Sequence, residues 1–185
     1  MFTNVNNLGK ESKNKLIEEA YACNLRTYKQ YFKAYNKNNW SFEKFKSKIE
    51  NEYPLSIINK EKDILSLYLA ISYPKLINEN NYFKIGFWEF GKNIQKRKTL
   101  KEGINSLENK ILNDYSNPII FVELPSDFKP VLRVYDELDF KVCEDDSRTK
   151  TVLEEFGREI LKINNGKYKT FNNPYFFHSM IYKEL

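Results

Sequence analysis

The chain contains a single histidine, His178, and only two cysteines, Cys23 and Cys143. One histidine constrains nucleophilic catalysis, because any Ser-His-Asp or Cys-His arrangement has to use it. His178 lies in an aromatic closing stretch, Tyr175-Phe-Phe-His-Ser179, where a packed or edge imidazole is the expected role. The cysteines are far apart and lack metal-ligand spacing, which excludes a zinc site of the usual kind and points to a reducing compartment. Cys143 reads as core. No carboxylate and histidine cluster has metal spacing either, so no metal is expected. Apolar runs long enough to cross a bilayer are missing, as is the apolar segment of a signal peptide. The expectation is a soluble, cytoplasmic protein with no membrane partner. Repeats, low-complexity linkers and composition breaks are missing too, so residues 1–185 are expected to form a single domain.

What remains is globular. Hydrophobic residues make up 41% of 185, enough for a substantial core, and 30% are charged. The net charge of +5 suits an anionic ligand without demanding nucleic acid. Lysine is so abundant that no single lysine is informative alone.

Three signals meet between Tyr82 and Tyr115. Tyr82 to Phe90 is dense in aromatics and reads as a strand. Gly91 to Lys98 follows as a loop carrying Lys92, Lys96, Arg97 and Lys98 with no acidic residue. Thr99-Leu-Lys-Glu102 then has the spacing of a capping box, opening a helix with the apolar stripe Leu100, Ile104, Leu107, Ile111 and Leu112. Unpaired backbone N–H groups and positive charge at one point would suit a phosphate or pyrophosphate.

Elsewhere the chain reads as follows. A short strand at Phe2 precedes a helix from about Glu11 to Asn36 and a second helix from Trp40-Ser41 to near Tyr53-Pro54. A hairpin with a charged turn spans Leu55 to Ser72, and Pro74 to Asn81 is expected as a polar loop. Pro118 to Leu124 is a compact apolar run, the signature of a buried strand. A helix starts at Pro125-Ser-Asp127, and a strand covers Phe140 to Cys143. Glu144-Asp-Asp146 reads as a solvated turn that could meet a cationic substrate. Thr151-Val-Leu-Glu154 looks like a second capping box, opening a helix with Val152, Phe156, Ile160 and Ile163 that ends at Asn164-Asn-Gly166. Pro174 to Leu185 closes the chain as a strand. This order predicts an α/β (α+β) fold: a mixed, mostly antiparallel sheet of about seven strands flanked by helices. The unit from Tyr82–Phe90 through its helix to the next strand is expected to be a parallel crossover, its loop at the carboxyl end of a strand.

Two places in that order carry a resemblance. One is the strand, basic loop and helix at 82–112. The other is Val131-Leu-Arg-Val-Tyr135-Asp-Glu-Leu-Asp139-Phe140, which looks like a helix-into-strand motif of the type Leu-Tyr-x-x-x-Gly-Phe. Together with the closing strand Met180 to Leu185 they resemble the GNAT superfamily of acyl-CoA-dependent N-acyltransferases. The resemblance implies that Phe90, Gly91, Lys92, Gln95, Lys96, Arg97, Lys98 and Thr99 hold the pyrophosphate of acetyl-CoA or another acyl-CoA. It implies a backbone N–H near Phe90 or Gly91 for the thioester carbonyl, and Tyr135 as the acid that protonates the departing thiolate. The sequence departs from the family where its loop has small residues: Gln95-Lys-Arg-Lys98-Thr-Leu100 puts Lys and Leu at both positions. The motif glycine is Asp139, and the helix at 151–163 is an insertion relative to the shortest members.

Direct attack of an amine on a thioester also needs a base. Alternation along the strand puts Glu89 on one face with Phe83, Ile85 and Phe87, and Glu123 makes the same case against Ile119 and Phe121. A carboxylate on an apolar face should have its pKa raised; a partner lysine or exposure at the strand end would remove that effect, more so for Glu123, just before Pro125. The expected reaction is N-acylation, with acetyl transfer to a primary amine of a small molecule or protein as the leading case. The alternative is a catalytically inactive module of the same fold, binding nucleic acid or an acidic protein through the basic loop 92–101. An unrelated α/β binding domain is a third reading. The helices at 11–52 suit either a substrate lid or a contact in a homodimer.

Overall fold

A computed structural model describes residues 2–31, 41–61, 64–90, 96–127, 129–171 and 173–185. Among the described residues, ten strands belong to one sheet, in the order β1-β2-β3-β5-β6-β10-β9-β8, with β4 paired to β5 and β7 to β10. The pairings β1–β2, β2–β3, β4–β5, β6–β10, β7–β10, β9–β10 and β8–β9 are antiparallel, and β5–β6 is parallel. This is a mixed, mostly antiparallel sheet, with more strands than the seven expected. The backbone divides into two compact units, Met1–Tyr73 with Gly86–Leu107, and Pro74–Ile85 with Glu108–Leu185. No helix among the described residues is long and apolar enough to cross a membrane.

The first unit begins with β1 (Phe2–Asn4), followed by α1 (Lys10–Tyr31) and α2 (Phe42–Glu52). Ser41 caps α2 by accepting from the Lys44 N–H, which satisfies an otherwise orphan donor. β2 (Ile57–Glu61) and β3 (Ile64–Ile71) form the expected hairpin. Leu16, Ile17, Ala20 and Cys23 of α1 pack with Phe45 and Ile49 of α2 and with Tyr53, Ile58, Leu65 and Tyr68. The three- and four-residue spacing on α1 and α2 thus does what periodicity predicts.

The second unit opens with a difference from expectation. Residues 74–81 are not a loop: β4 (Lys75–Ile77) pairs with the start of β5 (Asn80–Phe90) around Asn78 and Glu79, both with positive φ. Two left-handed residues make the tight turn that fits strand twist. α3 (Lys96–Asp114) leads to β6 (Pro118–Pro125), and the parallel register runs from Asn81↔Pro118 to Ile85↔Val122. β5 goes on to Phe90, and β6 goes on to Pro125 paired with β10 (Asn173–Glu184). α4 (Lys129–Asp136) starts later than Pro125-Ser-Asp127 suggests, and β7 (Lys141–Val142) is a short strand on β10.

The expected helix from Thr151 to Asn164 is replaced by α5 (Asp146–Glu155) and a hairpin of β8 (Ile160–Asn164) and β9 (Lys167–Thr170). The Asp145 carboxylate caps α5 through the Arg148 N–H, so Thr151 is interior. Asn165 and Gly166 both have positive φ and form the turn, where an added Cβ at Gly166 would run into the Cys143 carbonyl. Asn-Gly suits a helix end in isolation, but with strands on either side it is a hairpin turn. Asp146 accepts from the Asn165 and Gly166 N–H groups, so the acidic run is structural in part. Val152 and Leu153 of α5 pack with Tyr82, Phe121, Tyr168 and Met180.

Candidate functional site

α3 starts at Lys96, four residues ahead of the first helical position, Leu100, that a Thr99 cap implies. Thr99 is therefore inside the helix and buried, and Glu102 lies 3.8 Å from Lys98 in an exposed i,i+4 pair. The first turn has no acidic residue and begins Lys96-Arg-Lys98. Consecutive cations oppose the positive end of the helix dipole, so an anion there would relieve two unfavourable terms at once. Lys96, Arg97, Lys98, Lys101, Glu102 and Asn105 line an open hollow of about 510 Å³. Leu100, at one of the family's small positions, is turned into the core at 3% exposure, whereas Lys98, at the other, points into solvent. Neither bulky residue therefore fills the hollow with apolar surface. The rest of the stripe follows the same inward pattern: Ile104, Leu107 and Ile111 are buried, but Leu112 is half exposed. Gly91, Lys92 and Gln95 lie outside the described residues.

Glu89 lies near the end of β5, in the first unit, and is 2% exposed. Its Oε1 accepts from the Asn24 side-chain amide at 2.5 Å. Sequence reasoning alone does not single out Asn24: it is 65 residues away in sequence, on the buried stripe of α1 after Ala20. The available signal is an amide at a position where the helical spacing calls for an apolar residue.

Glu123, in the second unit, has a different environment. Lys84 and Arg158 both pair with its Oε1, the latter at 2.8 Å, and the Tyr168 hydroxyl donates to Oε2 at 2.9 Å. Burial alone would raise this carboxyl's pKa, but the charges and hydrogen bonds of Lys84 and Arg158 outweigh it and hold the group well below the usual carboxylate range. This is the opposite of the shift expected from its apolar face, and matches the alternative of a carboxylate paired with a nearby lysine. His178 stacks on Tyr168 with ring centroids 5.9 Å apart. Burial lowers its pKa, opposed by Glu123 and assisted by Arg158. Arg158 and Tyr168 come from the segment after α5 and from β9, the part of the chain where a hairpin replaces the expected helix.

Tyr135, near the end of α4, is fully buried and edge-on to Phe140 at 5.0 Å. Burial pushes its hydroxyl pKa up, so the proton is held firmly. Its carbonyl accepts from the Leu138 and Phe140 N–H groups, and the intervening Asp139 has φ 64°. Asp139 thus adopts the left-handed backbone that glycine would adopt most readily, a conformation short polar side chains tolerate.

No protein-family model matches the sequence, and no curated protein sequence matches it. Solved structures do. The ribosomal-protein-S18-alanine N-acetyltransferase of Escherichia coli superposes with a TM-score of 0.59 at 10% identity, over 100% of this chain and 92% of that one. A NatB acetyltransferase complex bound to CoA gives 0.62 at 12% identity, over 100% and 99%. NAA60 of Arabidopsis thaliana, in complex with acetyl-CoA, gives 0.59 at 12% identity, over 100% and 98%. At these identities the likeness is one of fold, and the fold is that of the GNAT acetyltransferases.

Proposed function

We propose that this chain is a divergent acyl-CoA-dependent N-acyltransferase, transferring an acetyl group to a primary amine. The observation that carries the reading is the start of α3: three cations without an acid in the first turn, lining an open hollow, in a chain with the GNAT fold. Lys96, Arg97 and Lys98 fit a pyrophosphate, with side-chain charge replacing much of the glycine-dependent backbone contact. Gly91, Lys92, Gln95 and Thr99 remain part of the proposed contact region. The acyl-CoA co-substrate would supply the thioester.

Of the two carboxylates, Glu89 is the better base. Glu123 is compensated by two cations and its proton affinity is suppressed, which turns the proposal to Glu89, whose Oε1 accepts from the Asn24 amide. Glu89 would take the proton of the acceptor ammonium, the amine nitrogen would attack the thioester carbonyl carbon, and the carbon–sulfur bond would break. Tyr135 would deliver a proton to the departing thiolate, and the second proton shed by the attacking nitrogen would return to Tyr135 through solvent, leaving amide, thiol and a protonated Glu89. That last role requires the buried hydroxyl to become accessible when the co-substrate binds. The cytoplasm, where acetyl-CoA is available and thiols stay reduced, is the proposed location.

Titration calorimetry with acetyl-CoA tests the reading. We expect one site with a dissociation constant between about 1 µM and 1 mM, the usual range for enzyme substrates. Absence of binding at millimolar acetyl-CoA removes the enzyme reading and leaves the fold intact. A second reading, a silent module that contacts nucleic acid, is favoured by the cations being exposed side chains; it is separated by salt dependence below.

A further inference from the structure

β8 ends the sheet: among the described residues it pairs with β9 on one side and with no strand on the other. The two-residue turn at Asn165 and Gly166, both with positive φ, sets which backbone groups are left over. In such a hairpin the flanking pair, Asn164↔Lys167, is of the hydrogen-bonded kind, and so by alternation is Lys162↔Lys169. The N–H and C=O of Ile163 therefore point away from β9, toward the free edge.

The edge has two unlike faces. Residues opposite one another in an antiparallel pair share a face. Ile163 is opposite the buried Tyr168, and both Ile160 and Ile163 pack, half-buried, against the core that contains this tyrosine. Lys162 is opposite Lys169 on the other face, where the Lys169 Nζ lies 4.7 Å from the Phe177 ring centroid. A register shift between Ile160 and Lys162 lets the two isoleucines share one face and leaves Leu161 46% exposed. Residues 160–170 hold three lysines and no acid. Glu159 precedes them, and the Asp146 carboxylate is taken up by the N–H groups of the turn.

An added strand would lay alternate side chains on these faces, one set beside Ile160 and Ile163, the other beside Lys162. A second copy of β8 paired antiparallel about Lys162 sets lysine against lysine, so the edge disfavours itself. A carboxylate at the same place is attracted. We propose that the outer edge of β8 docks an extended segment of another protein in which acidic and apolar residues alternate. The segment's backbone pairs with Ile163, its apolar side chains continue the surface of Ile160 and Ile163, and its carboxylates meet Lys162 and Lys169. This does not rest on the reading of the α3 cations.

The probe is a short, end-blocked, dye-labelled peptide of alternating glutamate and valine, titrated into the intact protein by fluorescence anisotropy. Saturable binding below millimolar peptide is expected, with hydrogen exchange of the Ile163 amide slowed in the complex. Lys162→Glu together with Lys169→Glu should weaken binding by about tenfold or more, since cross-strand attractions become repulsions. If that variant does not fold, Lys162→Glu alone is read in the same way. In an edge pair only alternate peptide nitrogens face β8. N-methylation of the valines or of the glutamates, according to strand direction, should therefore abolish binding, and methylation of the other set should not.

Loss from both methylated peptides, or from neither, overturns the proposal. So do affinity unchanged by the charge reversals, equal binding of a lysine–valine peptide, and absence of saturable binding at millimolar peptide. A dimer in sedimentation equilibrium that Ile163→Glu dissociates would give the edge to a second copy and overturn it. An RNA oligomer bound more tightly than the peptide, and lost in the double variant, would give the lysines to a nucleic acid with the same result.

Discussion

Gly86 has no side chain where one would collide with a neighbour: a Cβ there would meet the ring and hydroxyl of Tyr53. Tyr53 is itself buried and forms the C-cap of α2, so the ring has little room to withdraw. Gly86→Ala should therefore destabilise the protein by about 1–3 kcal/mol, as overpacking does, read as a lower urea midpoint at unchanged slope. Tyr53→Leu in the same chain should recover part of the loss; no effect of Gly86→Ala would show that the ring moves freely. At this scale the sequence is legible where one residue's own pattern decides the matter. Alternation puts Phe83 and Ile85 in the core, and both are buried. The same alternation gives no reason to expect Lys84 indoors. A strand in a parallel pair can be covered on both faces, and Lys84 is buried with its charge on Glu123.

Among the elements, that ion pair joins β5 to β6, while Arg158 and Tyr168 bring in the segment after α5 and β9. The folded-state pKa of Glu123 is depressed from its ordinary value of 4.5. The resulting stabilisation is fully present above pH 4.5 and is lost as the pH falls from there toward the depressed value. Lys84→Met leaves the carboxylate short of a partner, a loss of about 3–5 kcal/mol where the acid is ionised. In urea melts the gap between wild type and Lys84→Met should be widest near neutral pH and should narrow below pH 4.5. A gap independent of pH would mean that the lysine contributes packing alone. The elements that depart from expectation share a cause. The capping boxes at Thr99 and Thr151 match in spacing, but so short a run cannot say whether the helix has already begun. Asn165-Gly166 fits a helix end and a hairpin turn equally well until the partner strand is known, and the partner β9 is only four residues long.

For the molecule as a whole, the order of helices and strands is enough to name the fold, since each long element keeps its apolar period. The candidate residues of each unit are less legible, because their polar contacts link positions as distant in sequence as Asn24 and Glu89, or Glu123 and Arg158. The net charge of +5 is too mild to choose between a small anion and a nucleic acid. The cations at the start of α3 can choose, because the two ligands respond to salt differently. Arg97→Glu together with Lys98→Glu should weaken acetyl-CoA binding by at least about tenfold, a single charge-assisted contact being worth roughly 1.5–3 kcal/mol. These exposed side chains lie outside the apolar core, so thermal stability should hardly change. A pyrophosphate in one hollow involves few charges, and its affinity should fall gently between about 50 and 200 mM salt. An RNA strand neutralising several phosphates releases many counterions, and binding should fall by about a thousandfold over roughly the same range. Steep salt dependence of RNA binding, lost in the double variant and accompanied by no acetyl-CoA binding in the wild type, would make the chain a nucleic-acid module built on an acetyltransferase fold.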